Sequence, residues 1–381
     1  MKLAVTFTRH RQNMDLNMNI NKIIIIGYEL SGLGGMETVC QKLVNLLRTQ
    51  KSNIDISFVF IKEGNNPVND DWLKNDRRQR IISSVKNTKI RRLCFANSLR
   101  KIIRKERPDL ILALDTLSCF ISNVARKCTS HKPVIYSWLH FSTHNLYKAK
   151  YVLYADYHLS ISTEISQQLN KMGVRNDRIA TIFNPVSRVA GVIPRPQTGC
   201  SFLYVGRVIA DGQKNMRGLF EALAQVQGEW QLEIVGSGQD NSQLQELALR
   251  LGIANNIHWH GWQTQPWQFI REHFRSVTCL VMTSHFEGFG MVLAEASANG
   301  VYAVSSDCKT GPADIIKKGI NGNLYPLDKP EQLVSLLQDI VDGKSLPPGE
   351  EIQHAIEDFY EDNYILQVIS ALLFAENQIR H

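Results

Sequence analysis

The sequence lacks the features that mark secreted, zinc-binding and membrane-spanning proteins. Its seven cysteines are odd in number and contain no C-x-x-C pair, which argues against a disulfide framework and against a zinc knuckle. No run of about 18 apolar residues is available to span a bilayer, and residues 1–19 lack the apolar centre of a signal peptide. We therefore expect a cytoplasmic protein that is either soluble or bound to a membrane surface.

Two catalytic signatures are missing as well. Counted from Gly32, the last position of a G-x-G-x-x-G dinucleotide fingerprint falls on Glu37, so a nicotinamide-dependent enzyme loses its main support. The chain has no D-x-D motif, the carboxylate pair that usually holds a divalent metal in nucleotide-sugar enzymes. We expect neither a metal nor another cofactor, and we expect cationic side chains to take the place of the metal.

Positive charge, in contrast, is abundant and unevenly spread. The net charge is +7 at pH 7, and residues 72–107, which we call the basic stretch, carry 13 Lys and Arg side chains against two acidic ones. Apolar residues are interleaved with these charges, so the stretch is suited to an anionic membrane surface, where each basic side chain contributes roughly 1 kcal/mol. Nucleic acid and plain solvent are the alternatives, and the absence of a nucleic-acid motif disfavours the first of them.

Alternating strand-like and helix-like segments predict an α/β fold with two doubly wound, Rossmann-like halves. Residues 22–47 form an apolar strand, a glycine-rich turn and an amphipathic helix, and a second such series begins at Ser201. Ligands of such sheets bind at the carboxyl ends of the strands, so the two halves should face each other across a cleft. The expected segments are an N-terminal extension (1–20), a first domain (21–188), a linker (189–200), a second domain (201–350) and C-terminal helices that cross back to the first domain (351–381).

Two glutamates frame the clearest motif. The segment SHFEGFGMVLAEASANG (284–300) lies between two apolar runs, and it places Glu287 on a loop and Glu295 inside the helix that follows. A loop carboxylate can accept hydrogen bonds from sugar hydroxyls, and a carboxylate in the helix can hold a ribose diol, as the acidic residue of dinucleotide folds does. The helix start near Met291 is suited to an anion. Solvated charges at both glutamates are the plainer alternative.

Two cations are predicted to reach the same strand-end crevice. Arg207 follows a strand and Gly206, and Lys214 precedes an amphipathic helix. Fixed cations beside a helix N-terminus stabilise a departing diphosphate, because its negative charge grows in the transition state. Each cation alone would more often be solvated, but their position relative to the two glutamates favours a shared site.

The first half contributes a histidine and a glycine-rich loop. His140 ends a strand-like run, where a neutral imidazole can bond a sugar hydroxyl, although a lone histidine is more often structural. The loop that contains Gly34 and Gly35 precedes the first helix and is suited to contact a phosphate or an acceptor. Both features lie where strand-end loops would face the cleft.

These motifs resemble those of the retaining glycosyltransferases of the GT-B fold, in particular the large fourth group, which includes bacterial lipopolysaccharide core transferases. The resemblance runs from about residue 22 to the C-terminal helices. It is carried by GLGGME (32–37), LH (139–140), NPV (184–186), VGR (205–207), KN (214–215), VGSG (235–238), FEGFGMVLAEASANG (286–300) and SSDCKTGPADII (305–316). Within the group, YADYHLSIS and HGWQTQPWQ are most similar to transferases that use UDP-galactose.

The resemblance implies that the first domain (21–188) binds the acceptor and the second domain (201–350) the nucleotide sugar, and it implies a role for each candidate residue. Glu287 and His140 would contact hydroxyls of the donor sugar, Glu295 the ribose, and Arg207 and Lys214 the diphosphate. The positions implied for the remainder of the nucleotide-sugar site are Gly34, Gly35, Gly206, Phe289, Gly290 and Met291, where backbone amides would complete the phosphate cradle.

Two positions depart from the family pattern. Six residues separate Arg207 from Lys214, where four or five are usual, and Asp314 stands where glutamate is usual. The first departure could shift the lysine, although the position of this lysine before a helix is kept.

The resemblance also implies an activity and a location. Such enzymes transfer with retention and without an established protein nucleophile, and a β-phosphate oxygen of the departing UDP takes the acceptor proton. We expect galactose transfer from UDP-galactose to the lipopolysaccharide core at the inner face of the inner membrane, with the basic stretch on the lipid and no nucleic-acid partner. The alternatives are a glucosyl- or N-acetylglucosaminyltransferase for another surface glycan, and a glycan-binding protein without activity.

Overall fold

The computed structural model describes residues 19–30, 35–63, 69–73 and 75–379. These residues form two parallel β-sheets, of seven and six strands, that follow one another along the chain. The expected pair of doubly wound domains is therefore confirmed. Of the expected N-terminal extension, residues 1–18 lie outside the described residues, and Ile20 packs into the core.

The first domain is built on a seven-stranded sheet in the order β3-β2-β1-β4-β5-β6-β7. Its strands are β1 (Lys22–Tyr28), β2 (Asp55–Lys62), β3 (Arg77–Ile82), β4 (Leu110–Ala113), β5 (Val134–Leu139), β6 (Tyr157–Ser160) and β7 (Ile179–Thr181). Both faces are covered, because Ile23 and Ile25 of β1 join one apolar cluster while Ile24 and Ile26 join another. Continuous apolar strands of this kind are typical of parallel sheets buried on both sides.

Four α-helices and four short 3₁₀ helices connect these strands. The α-helices are α1 (Gly35–Gln50), α2 (Thr88–Glu106), α3 (Thr116–Lys127) and α4 (Thr163–Lys171), and the 3₁₀ helices are Asp71–Leu73, Thr143–Asn145, Ala149–Tyr154 and Asn176–Arg178. Side-chain caps define where the α-helices begin: the Asn87 carboxamide accepts from two amides of α2, and the Asp115 carboxylate accepts from the Ser118 amide of α3.

The second domain repeats the plan with six strands in the order β10-β9-β8-β11-β12-β13. The strands are β8 (Cys200–Val205), β9 (Trp230–Val235), β10 (Ile257–Trp259), β11 (Cys279–Met282), β12 (Tyr302–Ser306) and β13 (Gly322–Tyr325). The α-helices are α5 (Met216–Leu223), α6 (Asn241–Arg250), α7 (Pro266–His273), α8 (Met291–Ala298), α9 (Pro312–Ile315) and α10 (Pro330–Val341), with a 3₁₀ helix at Ala254–Asn256.

The chain passes between the domains twice, and the two passages lie side by side. After the second domain come α11 (Gly349–His354), a 3₁₀ helix (Glu357–Phe359) and α12 (Glu361–Ile379). The Val186 amide donates to the Phe359 carbonyl at 2.8 Å, and the Glu361 amide donates to the Val186 carbonyl at 3.2 Å. Beyond this point α12 lies on the first domain, where Tyr136 donates to the Ala371 carbonyl at 2.8 Å.

The segment 189–200, predicted as a linker, is packed on the second domain. The Ile193 amide donates to the Asn299 carbonyl at 2.9 Å, and the Val277 amide donates to the Pro194 carbonyl at 2.9 Å. The Ile193 side chain is buried. The segment is therefore fixed against one domain along part of its length.

The basic stretch folds into β3 and α2, and most charges of β3 are paired within the protein; Lys74 lies outside the described residues. The pairs are Arg77 with Asp55 at 2.6 Å, Arg78 with Asp70 at 2.8 Å, and Arg80 with Glu29 and Asp70, both at 2.6 Å. The apolar residues of the stretch that are buried in the core are Leu73, Ile81, Phe95, Ala96, Leu99 and Ile103. These residues cannot contact a membrane, which corrects the expectation that the whole stretch forms one surface.

The strand order of each sheet reverses beside its first strand. The reversal lies between β1 and β4 in the first domain and between β8 and β11 in the second. In open parallel sheets, ligands bind outside the carboxyl ends of the strands at this reversal. Arg207 follows β8 and Glu287 follows β11, so two of the predicted residues stand at this point of the second sheet.

Candidate functional site

Lys214 and Glu287 form an ion pair at the reversal point of the second sheet. The Lys214 ammonium lies 2.6 Å from Oε1 of Glu287, and the Ser284 hydroxyl donates to the same oxygen at 2.6 Å. Both charged side chains are largely buried, with 15% and 10% of their surface exposed. Removing one partner of such a pair leaves the other charge buried and without a partner, so each residue depends on the other.

The backbone holds this pair in place. The Thr283 hydroxyl donates to the carbonyls of Lys214 and Asn215, at 3.1 and 2.9 Å, and the His285 amide donates to the Gln213 carbonyl at 2.8 Å. Asn215 adopts a left-handed conformation with a φ of 48°, which turns the chain into α5. The loop before α5 is therefore docked onto the loop after β11.

Arg207 reaches the same edge through Gln213. Its guanidinium donates to Oε1 of Gln213 at 2.7 Å, and the Gln213 amide group donates in turn to the Phe286 carbonyl at 3.4 Å. The Arg207 side chain is exposed, and Tyr204 fixes its backbone by donating to its carbonyl at 2.6 Å. Among the described residues no carboxylate pairs with Arg207, so its charge is available at the surface of the site.

Glycine is required where the loops after β8 and β9 meet. A Cβ atom on Gly236 would lie 1.8 Å from the Gly206 carbonyl oxygen, and one on Gly238 would lie 1.9 Å from the Val208 carbonyl oxygen. Side chains at either position would push the loop that carries Arg207 away from its place. The backbones of the VGR and VGSG motifs therefore pack directly against each other beside the site.

The predicted loop at the start of α8 is present and tightly packed. Gly290 caps the helix with a φ of 87°, Met291 is its first residue, and the Phe289 ring packs edge-on against Phe359 at 5.7 Å. In the first domain Gly35 opens α1, and among the described residues no atom lies within 4 Å of a Cβ built on it; Gly34 lies outside the described residues.

His140 is buried at the contact between the domains. Burial lowers the pKa of its imidazole from 6.5 to about 3, so the ring is neutral near pH 7. Its Nε2 atom has no hydrogen-bond partner within the described part of the chain, although the ring packs 4.5 Å from Trp138. A Cβ atom on Gly288 would lie 2.4 Å from the His140 carbonyl oxygen, so the loop that bears Glu287 touches the first domain directly.

A chain of hydrogen bonds joins the two domains beside this contact; we call it the interdomain relay. In the first domain, Oε1 of Gln168 accepts from the Thr143 amide at 2.8 Å, and its amide group donates to Glu164 at 3.1 Å. Glu164 then accepts from the Thr310 amide of the second domain at 2.9 Å, and the Thr310 hydroxyl donates to the carbonyl of Glu287. The position of the Glu287 backbone is thus tied to the loop that follows His140.

Asp314, noted as a departure from the family pattern, belongs to the same interface. Its carboxylate accepts from the Thr163 amide at 2.9 Å, at the start of α4. Burial raises the pKa of this carboxyl above its usual range, and the hydrogen bonds from Thr163 partly offset the rise. In the described structure Asp314 therefore contributes a hydrogen bond between the two domains.

Glu295 lies one to two turns into α8 and is only partly exposed. Its Oε2 accepts from the Trp267 indole at 2.8 Å. Burial raises the pKa of the Glu295 carboxyl, while the Trp267 hydrogen bond and the charge of Lys42 in α1 act in the opposite direction. The hydrogen bond of the carboxylate thus goes to Trp267 of the same domain, while a charge of the first domain acts on it from a distance.

The structure brings Arg207, Lys214 and Glu287 to one edge and sets His140 against the loop that bears Glu287. Glu295 stands separately, deeper in α8. Sequence reasoning missed the residues that support the site, namely Gln213, Ser284, Thr310, Glu164 and Gln168. The Glu164 and Gln168 pair, four residues apart at the start of a helix, was a usable signal for a polar helix face.

Among the described residues, no three His, Cys, Asp or Glu side chains converge as metal ligands. The described helices also include none with the length and apolar content to cross a membrane.

Comparison with known proteins places the chain among glycosyltransferases. Residues 33–188 match the model of Glycosyltransferase Family 4, and residues 192–358 match that of Glycosyl transferases group 1. The chain is 36% identical over 353 residues to the lipopolysaccharide 1,6-galactosyltransferase of Salmonella typhimurium, covering 92% of this chain and 98% of that protein. It is 36% identical to the Escherichia coli lipopolysaccharide 1,6-galactosyltransferase over 90% of this chain and 95% of that one.

The fold agrees with a solved structure of similar sequence. The apo form of the lipopolysaccharide outer core galactosyltransferase WaaB is similar with a TM-score of 0.88 and 36% identity, covering 93% of this chain and 99% of that chain. Two facing doubly wound domains with a charged strand-end site define a glycosyltransferase of GT-B architecture. The chain belongs to glycosyltransferase family 4, and its second domain is a group 1 domain.

Proposed function

We propose that this glycosyltransferase moves galactose from UDP-galactose to the lipopolysaccharide core, with retention at the anomeric carbon. The Lys214 and Glu287 pair, with the unpaired cation of Arg207 beside it, is the observation that carries the proposal. The choice of galactose and of the core acceptor is supported by the similarity to the two lipopolysaccharide galactosyltransferases along nearly the whole chain.

In this proposal the two cations bind the diphosphate of the donor. The Arg207 guanidinium is exposed and offers a planar set of donors, and the Lys214 ammonium is a compact charge fixed by Glu287. Negative charge grows on the diphosphate as the bond to the sugar breaks, so cations already in place stabilise the transition state more than the ground state. The start of α8 at Gly290 and Met291 adds backbone amides on the same side.

The carboxylates and the histidine orient the sugar and the ribose. Glu287 keeps one oxygen for Lys214 and Ser284, and its other oxygen is left for sugar hydroxyls. The unpartnered Nε2 of His140 gains a partner when a donor hydroxyl lies beside it, which removes the cost of about 1–3 kcal/mol for a buried polar atom without a hydrogen bond. Glu295 is assigned to the ribose.

Retention follows from departure and attack on the same face of the sugar. Glu287 is held by a lysine and a serine, so it orients the sugar and does not attack it. The bond from the anomeric carbon to the β-phosphate oxygen breaks, the acceptor oxygen bonds to the anomeric carbon, and the acceptor proton passes to the departing UDP.

The deciding experiment measures UDP release with EDTA present from UDP-galactose, UDP-glucose and UDP-N-acetylglucosamine, using truncated lipopolysaccharide as acceptor. Acceptor-dependent release from UDP-galactose alone is the expected result. Release from another donor would keep the transferase assignment and change the donor sugar to glucose or N-acetylglucosamine. Such a change is plausible chemically because galactose and glucose differ only in the direction of one hydroxyl. Without release from any donor, UDP binding would point to a wrong acceptor, and the absence of UDP binding would favour a glycan-binding protein.

The interdomain relay provides a prediction about Glu164. Replacing Glu164 by alanine removes the bonds to Gln168 and Thr310, so the domains meet less often in the arrangement that orients Glu287. We expect kcat to fall by about tenfold while the affinity for UDP stays within about twofold. Steady-state kinetics and UDP titration measure the two quantities.

The matched control for Glu164 is Asp177→Ala, which removes an exposed carboxylate paired with Arg175 in the same domain. The control should change neither quantity. An equal loss of UDP affinity and kcat in Glu164→Ala would show a general structural defect and would contradict the positioning role.

We further propose that the outer face of α2 binds the membrane. This face presents Lys89, Ile90, Leu93, Lys101, Arg104 and Lys105, all exposed. Its apolar residues Ile90 and Leu93 are 53% and 55% exposed, and the single acid of the helix, Glu106, pairs with Lys22 at 2.8 Å. Basic and apolar side chains on one helical face suit an anionic lipid surface.

Sedimentation with vesicles tests this surface. Reversing two charges by Lys101→Glu and Lys105→Glu should weaken binding to anionic vesicles by at least about tenfold, since each basic residue contributes roughly 1 kcal/mol. The control reverses two exposed charges of the second domain by Lys317→Glu and Lys318→Glu. Equal losses in both variants would indicate attraction by net charge and would overturn the assignment to α2.

A further inference from the structure

A cavity lies at the reversal point of the first sheet, and its lining does not include Lys214 or Glu287. Its volume is about 400 Å³, and its lining includes Tyr28, Glu63, Arg92, Thr116 and Tyr147. Tyr28 ends β1, and Thr116 follows β4, the two strands between which the strand order changes. The topology that places ligands at the carboxyl ends of parallel strands therefore applies to this cavity.

Most charges around the cavity are satisfied within the protein. Arg91 donates to Glu63 at 3.0 Å, and Tyr28 donates to the same carboxylate oxygen at 3.2 Å. Asp115 accepts from the Tyr28 amide at 3.1 Å and from the Ser118 amide and hydroxyl at 2.8 and 2.7 Å. Both carboxylates are thus occupied by donors of their own domain.

Arg92 is different because no carboxylate balances it within the described part of the chain. Its guanidinium donates to the Tyr147 hydroxyl at 3.0 Å and lies 5.6 and 5.8 Å from the ring centres of Tyr147 and Tyr151. The Lys148 ammonium lies 5.9 Å from the Tyr147 ring, so a second cation stands nearby. Two tyrosine rings hold Arg92 in place and leave its charge for a partner from outside.

Tyr147 combines firm placement with exposure. Its carbonyl accepts from the Thr116 hydroxyl at 2.7 Å, while 65% of its surface is exposed. An exposed aromatic ring beside a fixed cation suits a ligand that carries both a sugar ring and a negative charge, since the ring supplies contact area and the guanidinium binds anions in a planar fork.

We propose that this cavity binds a phosphate group on the acceptor glycan and that Arg92 is the residue that selects a phosphorylated acceptor. The proposal rests on the proposed function, because it takes the acceptor to be the lipopolysaccharide core. It goes beyond that function by assigning a chemical group of the acceptor to a residue of the first domain. Phosphate and guanidinium match in charge and in geometry.

The test measures binding of two soluble probes to the full chain. One probe is the phosphorylated core oligosaccharide released from truncated lipopolysaccharide by deacylation, and the other is the same oligosaccharide after removal of its phosphate. We expect the wild-type protein to bind the phosphorylated probe about tenfold to a hundredfold more tightly, and Arg92→Ala to lose this preference. Arg92→Lys, which keeps the charge without the planar fork, should retain part of it.

Arg100→Ala is the control, because Arg100 lies on the same helix and bonds only to Asn97 among the described residues. It should keep the wild-type preference, and UDP affinity should stay unchanged in all variants. Equal binding of both probes by the wild type, or an unchanged preference in Arg92→Ala, would overturn the inference. If Arg92→Ala lost binding to anionic vesicles and kept its preference among the oligosaccharides, the phosphate would belong to a lipid headgroup and the acceptor assignment would be wrong.

The same probes separate this inference from the proposed function. A phosphate preference in binding without galactose transfer would keep the anion site and reject the transfer. Galactose transfer at equal rates to both probes, with equal binding, would keep the transfer and reject the anion site.

Discussion

Replacing Lys214 by alanine lowers kcat/KM for galactose transfer by about two to three orders of magnitude. The substitution removes a cation from the place where charge grows on the diphosphate, and it also frees Glu287 from the partner that fixes its orientation. Steady-state transfer from UDP-galactose measures the loss. Glu287→Gln, which keeps the side-chain shape and removes the charge, should give a loss of similar size, because the two residues act as one unit.

The control for Lys214 is Arg217→Ala, three residues further along the chain. Arg217 pairs with Asp211 at 2.7 Å on the surface, where 63% of the Asp211 side chain is exposed, so its loss should affect stability and activity little. A buried pair is costly to break, so the melting temperature of each variant must be measured alongside its rate. A folded Lys214→Ala protein with near wild-type kcat/KM would refute the diphosphate assignment.

Replacing Gly311 by alanine abolishes most activity without touching a charged group. A Cβ atom at this position would lie 1.8 Å from the Phe289 carbonyl oxygen, which is backbone and cannot rotate away. The loop that leads into α8 would have to move by about 1 Å or more, and displacements of that size cost about a hundredfold in rate. We expect kcat/KM to fall by at least about a hundredfold, measured together with UDP affinity, which should also fall.

Gly319→Ala is the control for placing an alanine at a positive φ. Gly319 has a φ of 77°, and among the described residues no atom lies within 4 Å of its added Cβ. Gly311, with a φ of 99° and a ψ of −58°, lies outside the left-handed region, so Gly311→Ala carries more backbone strain than Gly319→Ala and carries the clash in addition. Equal losses of activity in the two variants would mean that a positive φ alone, and not the position of the α8 loop, explains the effect.

The two-domain fold is predictable because its central strands are continuous apolar runs. The pattern does not predict β3, β7 and β13, for identifiable reasons. β3 reads RRQRII and sits at the edge of the sheet, where ion pairs with neighbouring acids replace apolar contacts. β7 (IAT) and β13 (GNLY) are edge strands with partly exposed residues, and neither contains a continuous apolar run.

The charged residues of the site are also predictable, because each follows a strand end in a recognisable motif. The residues that hold them in place are not predictable from the sequence. Glu164 and Thr310 are 146 residues apart in sequence, and only the packing of the domains brings them within 2.9 Å. The burial of His140 and the pairing of Glu295 with Trp267 depend equally on contacts between distant segments. Local sequence motifs therefore identify the charged residues of the site, whereas the contacts between distant segments determine which of these side chains are buried or hydrogen-bonded within the protein.

The double passage between the domains sets how the cleft can open. Val186 and Tyr360 lie in two adjacent segments that are hydrogen-bonded to each other, and Arg188 packs 4.0 Å over the Tyr360 ring while pairing with Glu357 at 2.5 Å. Two connections that are hydrogen-bonded to each other restrict sliding and twisting of the domains more than one free connection would, so we expect the domains to rotate about the line of these segments. In such a rotation the contacts across the cleft, from the interdomain relay to Asp314, should break and re-form together.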